Sequence, residues 1–533
     1  MTGLGLVARS LANQAFVEHF RCPDDYAEFE VLEPMSAEPG FYRLGPDIVC
    51  FGRSAAGSRA ERVTDPLYDA LQDVTWNREA VRLPFSPSDV IAGLRGEQYS
   101  AGITRVPSVV NEAYYRLRPL LTVAVRKRLQ WVLLRNWRKT LFPNWPVDTT
   151  VERIFELLMA LSLKRHGVDG IPFVWFWPDD CQSCVVMTHD VETVTGKAYV
   201  PHLMDLDETY GIRASFQIVP EGRYTVEDSL LQNIRERGCE VAVHDLNHDG
   251  RLFVRRDEFE RRLARINQYR AQFRAEGFRS AVLYRRLDWL QELEFSYDMS
   301  VPNLGHLEAQ RGGCCSIMPF FNGRVLEIPV TTTQDYSLFY ILKEHSIDLW
   351  KRQLEIITQR HGLASFIVHP DYIQDARPRS TYQALLAHLK GFCSQSRAWL
   401  TLPREVARWW KQRNSMSLVR EGKRWKVEGP GSDRARVAYA MLNEGKVVYK
   451  LQGLFLALPN QETLTDPALG EFSVWNLVLC LTLVVARILW FGRATETREY
   501  STSDAEAVTG WIGGSRRSRT CRIPLRRWTM GSV

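Results

Sequence analysis

Residues 185–192 read Val-Val-Met-Thr-His-Asp-Val-Glu, an apolar and β-prone run that ends abruptly in acidic residues. This pattern is typical of a buried parallel strand whose carboxyl end opens onto a site. In α/β barrels and open α/β sheets, the chemistry lies at that end of the strands. Because side chains alternate along a strand, Asp190 and Glu192 should face one side and Val191 the other. One carboxylate could bind a metal while the other takes a proton; alternatively, both acids cap a following turn or helix.

Strand-like and helix-like segments alternate from residue 185 to about residue 405. The strand candidates are 185–189, 213–219, 239–243, 279–283, 325–330, 364–369 and 398–402. The helix candidates are 199–210, 226–237, 256–276, 286–293, 346–361 and 379–394. This order predicts an α/β fold in which a parallel sheet with crossover helices closes into a distorted (β/α) barrel of about seven repeats.

The remaining sequence divides into four further regions. Residues 1–105 are predicted to form an N-terminal α+β region of unknown role, with two strands around a Gly-Pro-Asp turn at 45–47. Residues 106–184 combine a basic helical segment with a lead-in to the barrel. Residues 415–458 contain short strand-like runs separated by Gly-rich turns, which predicts a small β module that could bind a glycan or pack against the barrel. The tail, 472–533, is first apolar and then rich in arginine.

Two segments are candidates for contact with a membrane. Residues 108–142 interleave arginines with leucine and tryptophan, and a basic amphipathic helix can lie on an anionic surface. The alternative is a helix that packs its apolar stripe on the next domain, with arginine stems covering the edges. Residues 472–491 are apolar apart from Arg487, which makes a marginal membrane span; a buried or disordered extension is the alternative.

Composition and charge narrow the class of protein. The 533-residue chain is 45% hydrophobic and 24% charged, which is ordinary for a globular protein with a large core. A net charge of +6 over this length, without a basic face in a known module, argues against nucleic-acid binding. The ten cysteines are scattered, and the pair Cys181 and Cys184 lacks the second pair typical of structural zinc. The first 20 residues show no signal-peptide pattern, so we expect a cytoplasmic protein.

Two further apolar runs end in histidine. The run 239–243 leads into His244, and His248 follows four residues later. On one helical turn both would face the same side and could hold one cation, although such pairs also occur incidentally. Two histidines and one carboxylate would leave a coordination position open for water, as in catalytic zinc sites. The run 364–368 ends in His369, which could protonate a leaving group near neutral pH or be a surface histidine at a strand end.

Taken in order, these segments resemble the polysaccharide deacetylase family, carbohydrate esterase family four. The resemblance covers roughly residues 185–405. The first motif of the family is usually Thr-Phe-Asp-Asp-Gly, and here residues 188–192 read Thr-His-Asp-Val-Glu. The leading aspartate matches Asp190, whereas the second, metal-binding aspartate has no match at Val191. Glu192 is therefore the candidate metal ligand in this divergent member, with Asp190 as the alternative ligand.

The other motifs follow in the order that the family shows. The second motif, His-x-x-x-His, matches His244 and His248. The third, usually Arg-x-Pro-Tyr, keeps Arg279 but not the proline. Residues 297–300, Tyr-Asp-Met-Ser, resemble the fourth, and the apolar run that ends in His369 matches the fifth.

The resemblance implies a role for each matched residue. Asp190 would be the general base, Arg279 would orient and charge-stabilise it, and His369 would be the general acid. The implied ligands of zinc or a similar divalent ion are Glu192, His244 and His248. The implied fold is a distorted barrel with fewer than eight repeats.

The sequence therefore predicts a metal-dependent hydrolase that removes N-acetyl groups from an amino sugar polymer or related glycan. The chemistry is consistent, because an amide carbonyl is a poor electrophile and a metal can both polarise it and lower the pKa of a water. One alternative is a deacylase of a lipid-linked or small amide substrate. The other is a catalytically inactive deacetylase-like protein that binds glycans, which the altered first motif keeps open.

Overall fold

The structure, a computed structural model, describes residues 13–55, 60–76, 80–102, 137–422 and 424–452, which all lie in one unit, Met1–Ala457. Most of the predicted basic helix at 108–142 and the whole of the tail at 472–533 lie outside the described residues. Of that helix, the described part contains one short 3-10 turn, Trp137–Lys139. No helix among the described residues is long and apolar enough to cross a membrane.

The secondary-structure elements are numbered in chain order. The strands are β1 (Phe29–Val31), β2 (Gly40–Leu44), β3 (Ile48–Gly52), β4 (Thr75–Trp76), β5 (Val81–Leu83), β6 (Ile171–Val174), β7 (Ser183–Val191), β8 (Ser215–Ile218), β9 (Glu240–His244), β10 (Gly277–Arg279), β11 (Tyr297–Asp298), β12 (Phe320–Asn322), β13 (Val325–Glu327), β14 (Leu363–Ile367), β15 (Ala398–Thr401), β16 (Ser417–Glu421), β17 (Arg424–Glu428), β18 (Val437–Asn443) and β19 (Lys446–Leu451). The helices are α1 (13–20), α2 (Pro87–Arg95), α3 (Thr150–His166), α4 (Val194–Thr209), α5 (Asp228–Glu236), α6 (Arg256–Gln272), α7 (Leu287–Leu290), α8 (Asp348–Gln359), α9 (Ala376–Ser396) and α10 (Pro403–Asn414).

A nine-stranded sheet forms the centre of the described chain. Its order is β12-β13-β11-β10-β9-β8-β7-β14. Strand β15 also pairs with β7: it lies beside the first half of β7, on the same edge that pairs with β8 in the second half. The strands are parallel to their neighbours except β12, which is antiparallel to β13. Helices connect most of the successive parallel strands, whereas the parallel pair β11 and β13 is joined by a segment that contains β12 and no helix. The predicted α/β fold with a barrel-like parallel sheet is confirmed.

The barrel is distorted where the sheet passes from β13 to β14, because the described chain places no strand between them. The segment that follows β13 bonds to β14 through threonine side chains and through one backbone bond, from Thr332 N to Ser365 O at 3.3 Å. Thr331 Oγ1 donates to Leu363 O at 2.7 Å and accepts from Ser365 N at 2.9 Å. Thr332 Oγ1 donates to Ser365 O at 2.8 Å. These contacts satisfy backbone groups that would otherwise form an open strand edge.

Several predicted boundaries differ from the structure for local reasons. The predicted strand at 279–283 is replaced by the shorter β10, which lies two residues earlier. Val282 has a φ of 59°, which an extended strand cannot accommodate, and a 3-10 turn, Ala281–Leu283, takes its place. The predicted helix at 286–293 is reduced to the single turn of α7. Strands β11 and β12 have two and three residues, which is too short for a pattern of alternation to reveal.

The predicted pair of strands around residues 45–47 is confirmed as the β2–β3 hairpin, in which Gly45 has a φ of 70°.

The two ends of the described chain pack together. Strand β18 pairs with β19 and also with β6, which precedes the barrel in the chain. Tyr449 on β19 lies against Phe173 on β6, with ring centroids 5.2 Å apart. A strand from before the barrel thus completes the C-terminal β sheet.

Arg413 on α10 joins these segments from inside the core, where its side chain is fully buried. Its Nη2 donates to Val174 O at 2.7 Å and to His19 O at 2.8 Å, and its Nε donates to Trp175 O at 3.0 Å. The guanidinium also lies over the ring of Trp410, at 5.1 Å. A buried arginine must find acceptors for its N–H groups, so these contacts fix α10 against α1 and β6.

A buried glutamate connects the start of β9 to the start of α10. Glu240 Oε2 accepts from the Arg404 backbone N–H at 3.1 Å, in the first turn of α10, and Glu240 Oε1 accepts from the Tyr297 hydroxyl at 2.8 Å. Leu402, at the N-cap position of α10, has no side-chain cap, so Glu240 supplies the acceptor from another strand. Burial raises the pKa of Glu240 from 4.5 to about 7 despite these hydrogen bonds.

The raised pKa of Glu240 predicts a pH dependence of stability. Between about pH 4.5 and 7 the folded protein holds a proton on Glu240 that the unfolded chain has released, so this group lowers the free energy of unfolding as pH rises. Glu240→Gln removes the ionisation and can still bond both partners. In urea unfolding, we expect the variant to gain up to about 3 kcal/mol over wild type between pH 5 and 8. Glu421→Gln, at an exposed position, is the control; equal pH profiles for wild type and Glu240→Gln would contradict the prediction.

Candidate active site

The two acids of the first motif face the same side of β7, as predicted. Asp190 lies within β7 and Glu192 directly follows it, while the side chain of Val191 is buried in the apolar core on the other face. Asp190 Oδ2 and Glu192 Oε1 each lie 3.7 Å from Nε2 of His244, which ends β9. Strands β7 and β9, which lie on either side of β8, therefore bring both carboxylates to one histidine.

A possible metal centre is formed by Glu192, His244 and His248, which bring three ligand atoms within 4.8 Å of one another. Glu192 Oε1 lies 2.9 Å from His248 Nε2. The Nε2 atoms of both histidines are nevertheless buried without a partner in hydrogen-bond geometry, which is costly unless another group binds them. Two imidazoles and one carboxylate are the donor set of many catalytic zinc sites. These residues therefore fit a divalent metal ion.

The two histidines converge through a loop and not through the helical turn that their spacing suggests. His244 ends β9, and residues 245–250 form bends in which Asp245 and His248 have φ values of 56° and 54°. Aspartate tolerates this left-handed region better than most residues because its side chain bonds locally. The Asp245 carboxylate accepts from Leu246 N at 2.6 Å and from Ala281 N at 3.3 Å. Asp245 therefore holds the turn that carries His248 back toward His244.

Hydrogen bonds orient both histidines, through the ring Nδ1 in His244 and through the backbone carbonyl in His248. His244 Nδ1 lies 3.1 Å from the carbonyl oxygen of Arg279, which can only accept, so Nδ1 carries the proton and Nε2 offers its lone pair. Arg223 donates to His248 O, and its Nη2 also lies 3.1 Å from His248 Nδ1. A metal on Nε2 of His248 requires the proton on Nδ1, in which case Arg223 keeps only its bond to the carbonyl oxygen.

Asp190 is paired with the fully buried guanidinium of Arg279. Arg279 Nη1 donates to Asp190 Oδ1 at 2.6 Å and to Thr188 Oγ1 at 2.8 Å, and Nε donates to Met299 O at 3.0 Å. Burial by itself would raise the pKa of Asp190, but the charge of Arg279, followed by those of His244 and His369, holds it below the ordinary value. Asp190 therefore stays ionised, which a general base requires.

His369 is paired with a second buried carboxylate, that of Asp335. The backbone N–H of His369 donates to Asp335 Oδ2 at 2.7 Å, and its ring Nδ1 donates to Asp335 Oδ1 at 2.6 Å. His369 Nε2 faces the cluster, 3.6 Å from Glu192 Oε1 and 4.0 Å from Asp190 Oδ2. Burial by itself would lower the pKa of His369, but Asp335, followed by Glu192, raises it well above the ordinary value. A protonated His369 can act as a general acid.

All six residues singled out in the sequence lie in this one cluster, at the carboxyl ends of β7, β9, β10 and β14. Sequence reasoning missed Asp335, although the signal was present: Asp335 follows the strand candidate at 325–330 and three threonines, the same arrangement of apolar run and polar residues seen elsewhere. It also missed Arg223, whose approach to His248 depends on the loop after β8. Neither Cys181 nor Cys184 belongs to the metal-type cluster found among the described residues, and both are free thiols.

Comparison of the sequence with protein-family models found no match, and comparison with curated proteins found none either. Comparison with solved structures found similar chains. A protein from Mycobacterium smegmatis described as a polysaccharide deacetylase is 17% identical, covering 45% of this chain and 93% of its own, with a TM-score of 0.37. One from Pseudomonas aeruginosa PAO1, described likewise, is 10% identical over 44% and 92%, with a TM-score of 0.35. Puue allantoinase is 12% identical over 44% and 92%, also at 0.35.

Several of the similar solved structures are described as polysaccharide or peptidoglycan deacetylases. At these identities and TM-scores the likeness concerns the fold and assigns neither an activity nor a residue. Any function for this chain has to be argued from the geometry of its own site.

The geometry predicts which carboxylate binds the metal. In purified protein supplied with zinc, we expect about one divalent ion per wild-type chain. Glu192→Gln and His248→Ala should lose it because each removes one of the grouped ligand atoms, whereas Asp190→Asn should retain it because Arg279 already holds one oxygen of Asp190. Metal analysis of each variant is the measurement, with His202→Ala, an exposed histidine, as the control. Loss of metal from Asp190→Asn alone would reverse the assignment of the two carboxylates.

Proposed function

We propose that the protein is a metal-dependent hydrolase that removes N-acetyl groups from an amino sugar glycan, with zinc as its ion. The observation that carries the proposal is that two groups with opposite protonation border the cluster of Glu192, His244 and His248. On one side lies a carboxylate kept ionised by Arg279, and on the other a histidine kept protonated by Asp335. The reactive atoms of these two groups, Asp190 Oδ2 and His369 Nε2, are 4.0 Å apart.

Asp190 is suited to accept a proton from the attacking water. Arg279 occupies its Oδ1, so Oδ2 is the oxygen that remains directed toward the histidines. When bound, a divalent ion supplies Lewis acidity that polarises the acetyl carbonyl and lowers the pKa of water. Loss of this proton to Asp190 turns the water into a nucleophile that attacks the carbonyl carbon of the acetyl group.

His369 is suited to donate the second proton. Asp335 holds Nδ1–H, so the ring presents Nε2–H to the same space that Asp190 Oδ2 faces. Donation to the amide nitrogen makes it a leaving amine as the carbon–nitrogen bond breaks. One proton goes from water to Asp190 and one from His369 to nitrogen, so the overall change adds water across the amide and yields acetic acid, which ionises to acetate, and a free amine. Loss of a proton from Asp190 and uptake of one by His369 restore the starting state.

Three tyrosines support a substrate that contains sugar rings. The ring of Tyr372 lies 4.9 Å from that of His369, and the rings of Tyr336, Tyr340 and Tyr372 lie 5.2–5.4 Å from one another. Each keeps part of its surface exposed. Aromatic faces offer apolar area for the C–H face of a pyranose, while the phenol hydroxyl can bond its polar rim. A small linear amide would not need such a surface beside the acid.

Removal of the acid should separate chemistry from metal binding. We expect His369→Ala to retain the metal and to lower kcat by about 10² or more, because the leaving amine then departs unprotonated. Asp335→Asn should lower kcat by a smaller factor, since the ring remains but loses the carboxylate that keeps it protonated. Acetate release by purified protein is the measurement, with Asp375→Asn, an exposed aspartate on the same rim, as control. Unchanged turnover in His369→Ala would remove its role as acid.

Removal of a tyrosine ring should affect sugar substrates selectively. We expect Tyr340→Ala to raise KM about tenfold for an acetylated amino sugar oligomer, through the loss of buried apolar area, and to leave the hydrolysis of 4-nitroacetanilide unchanged. Tyr210→Ala, a half-buried tyrosine at the end of α4, is the control. Equal losses on both substrates would favour a small amide as substrate, and no turnover of either by a metal-loaded wild type would favour the inactive, glycan-binding alternative.

A further inference from the structure

His189 lies between Thr188 and Asp190 on β7, and its side chain points away from the site into the layer of helices. It is fully buried. Its Nδ1 lies 2.9 Å from Val368 O, and its Nε2 lies 2.9 Å from Asp207 Oδ2 on α4. Because a carbonyl oxygen can only accept, Nδ1 carries a proton and donates it to Val368 O. Nε2 lies within hydrogen-bond distance of the Asp207 carboxylate, so both ring nitrogens have a partner.

Val368 is the residue that precedes His369, and the peptide bond between them is held at both ends by side chains. His189 donates to its carbonyl oxygen, while Asp335 accepts from its N–H at 2.7 Å. The regular pairing of β14 with β7 ends one residue earlier, at Ile367. The His189 side chain therefore supplies a hydrogen bond that the sheet no longer provides, at the peptide plane from which the His369 side chain projects.

Two helices hold His189 in this orientation. Asp207 is buried on α4, and its second carboxylate oxygen, Oδ1, accepts from the Tyr382 hydroxyl on α9 at 2.6 Å. Tyr382 is itself fully buried. Tyr382, Asp207, His189 and Val368 O thus form one continuous chain of hydrogen bonds, which we call the His189 relay. A side chain with both ends bonded in this way has little freedom to rotate.

We propose that His189 is a positioning residue that sets the direction of the His369 side chain, with Asp207 and Tyr382 as its anchors. This inference rests on the proposed function, in which His369 is the general acid. It assigns a purpose to the histidine at the second position of the first motif, which does not face the reacting atoms. Without the relay, the 368–369 peptide would keep only the Asp335 contact and could tilt. A displacement of about 1 Å at a catalytic group can lower turnover by as much as about 10²-fold.

The test compares variants that keep or remove the donor to Val368 O. His189→Leu removes the donor, whereas His189→Asn places a side-chain amide N–H close to the position of the imidazole Nδ1. We expect His189→Leu to lower kcat about 10- to 100-fold with metal content and KM unchanged, and His189→Asn to restore at least about tenfold of that loss. Tyr382→Phe, which shortens the relay by one bond, should lower kcat a few-fold and remains informative if His189→Leu fails to fold.

Tyr297→Phe is the matched control, because it also deletes a buried hydrogen bond from tyrosine to carboxylate, that to Glu240 at the opposite end of the sheet. Its kcat per folded molecule should equal that of wild type. Equal kcat values for wild type and His189→Leu, or equal losses in Tyr297→Phe and Tyr382→Phe, would overturn the inference. If wild type has no turnover, the proposed function fails, and crystal structures decide the inference separately: a displaced His369 ring in His189→Leu supports it, and an unmoved ring overturns it.

Discussion

The buried guanidinium of Arg279 is the group on which the rest of the site depends. Its side chain neutralises Asp190 and bonds Thr188 on β7, while its backbone carbonyl accepts from the His244 ring and from the Asp245 N–H. One residue on β10 therefore keeps Asp190 ionised, sets the tautomer of His244 and fixes the start of the turn that carries His248. Removing one partner of a buried ion pair costs about 3–5 kcal/mol because the other charge is left buried and unpaired, so Asp190 and Arg279 depend on each other.

The parallel sheet explains why residues from distant parts of the chain meet. Parallel strands present all their carboxyl ends at one edge, so β7, β9, β10 and β14 each deliver polar residues to the same place. Asp335 arrives differently, on the irregular segment that follows β13 and bridges the distorted part of the barrel. The gap in the strand order is thus useful to the site, because it lets a loop carry a carboxylate into contact with His369.

Much of the fold and the site could be predicted from the order of apolar runs and the residues that end them. The strands that carry Asp190, His244 and His369 are buried and long enough for the pattern to show, and five of the six candidate residues follow from their ends. Arg279, on a three-residue strand, was predicted only from the resemblance of its segment to a family motif. The sequence could not reveal β11 or β12, which are too short, or the left-handed turn at Asp245, which depends on tertiary hydrogen bonds. The sequence could not reveal hydrogen-bond partners such as Asp335 and Asp207 either. The residues next to a polar residue in the sequence do not show which distant side chain it will contact in the fold.

The direction of the side chains along β7 explains why residues 188–192 can place an acid at position 192 and a valine at position 191. Val191 points into the apolar core, so a carboxylate at that position would be buried away from the histidines and could not serve as a ligand. Alternation along β7 returns the chain to the site at Glu192, two residues after Asp190. Asp190 is balanced by Arg279, and Asp335 by His369. Glu192 Oε1 lies 2.9 Å from His248 Nε2, with the Nε2 atoms of His369 and His244 at 3.6 and 3.7 Å. Because Glu192 is the acid grouped with both His244 and His248, it is the candidate ligand although it stands one position later than the aspartate of the motif that this segment resembles.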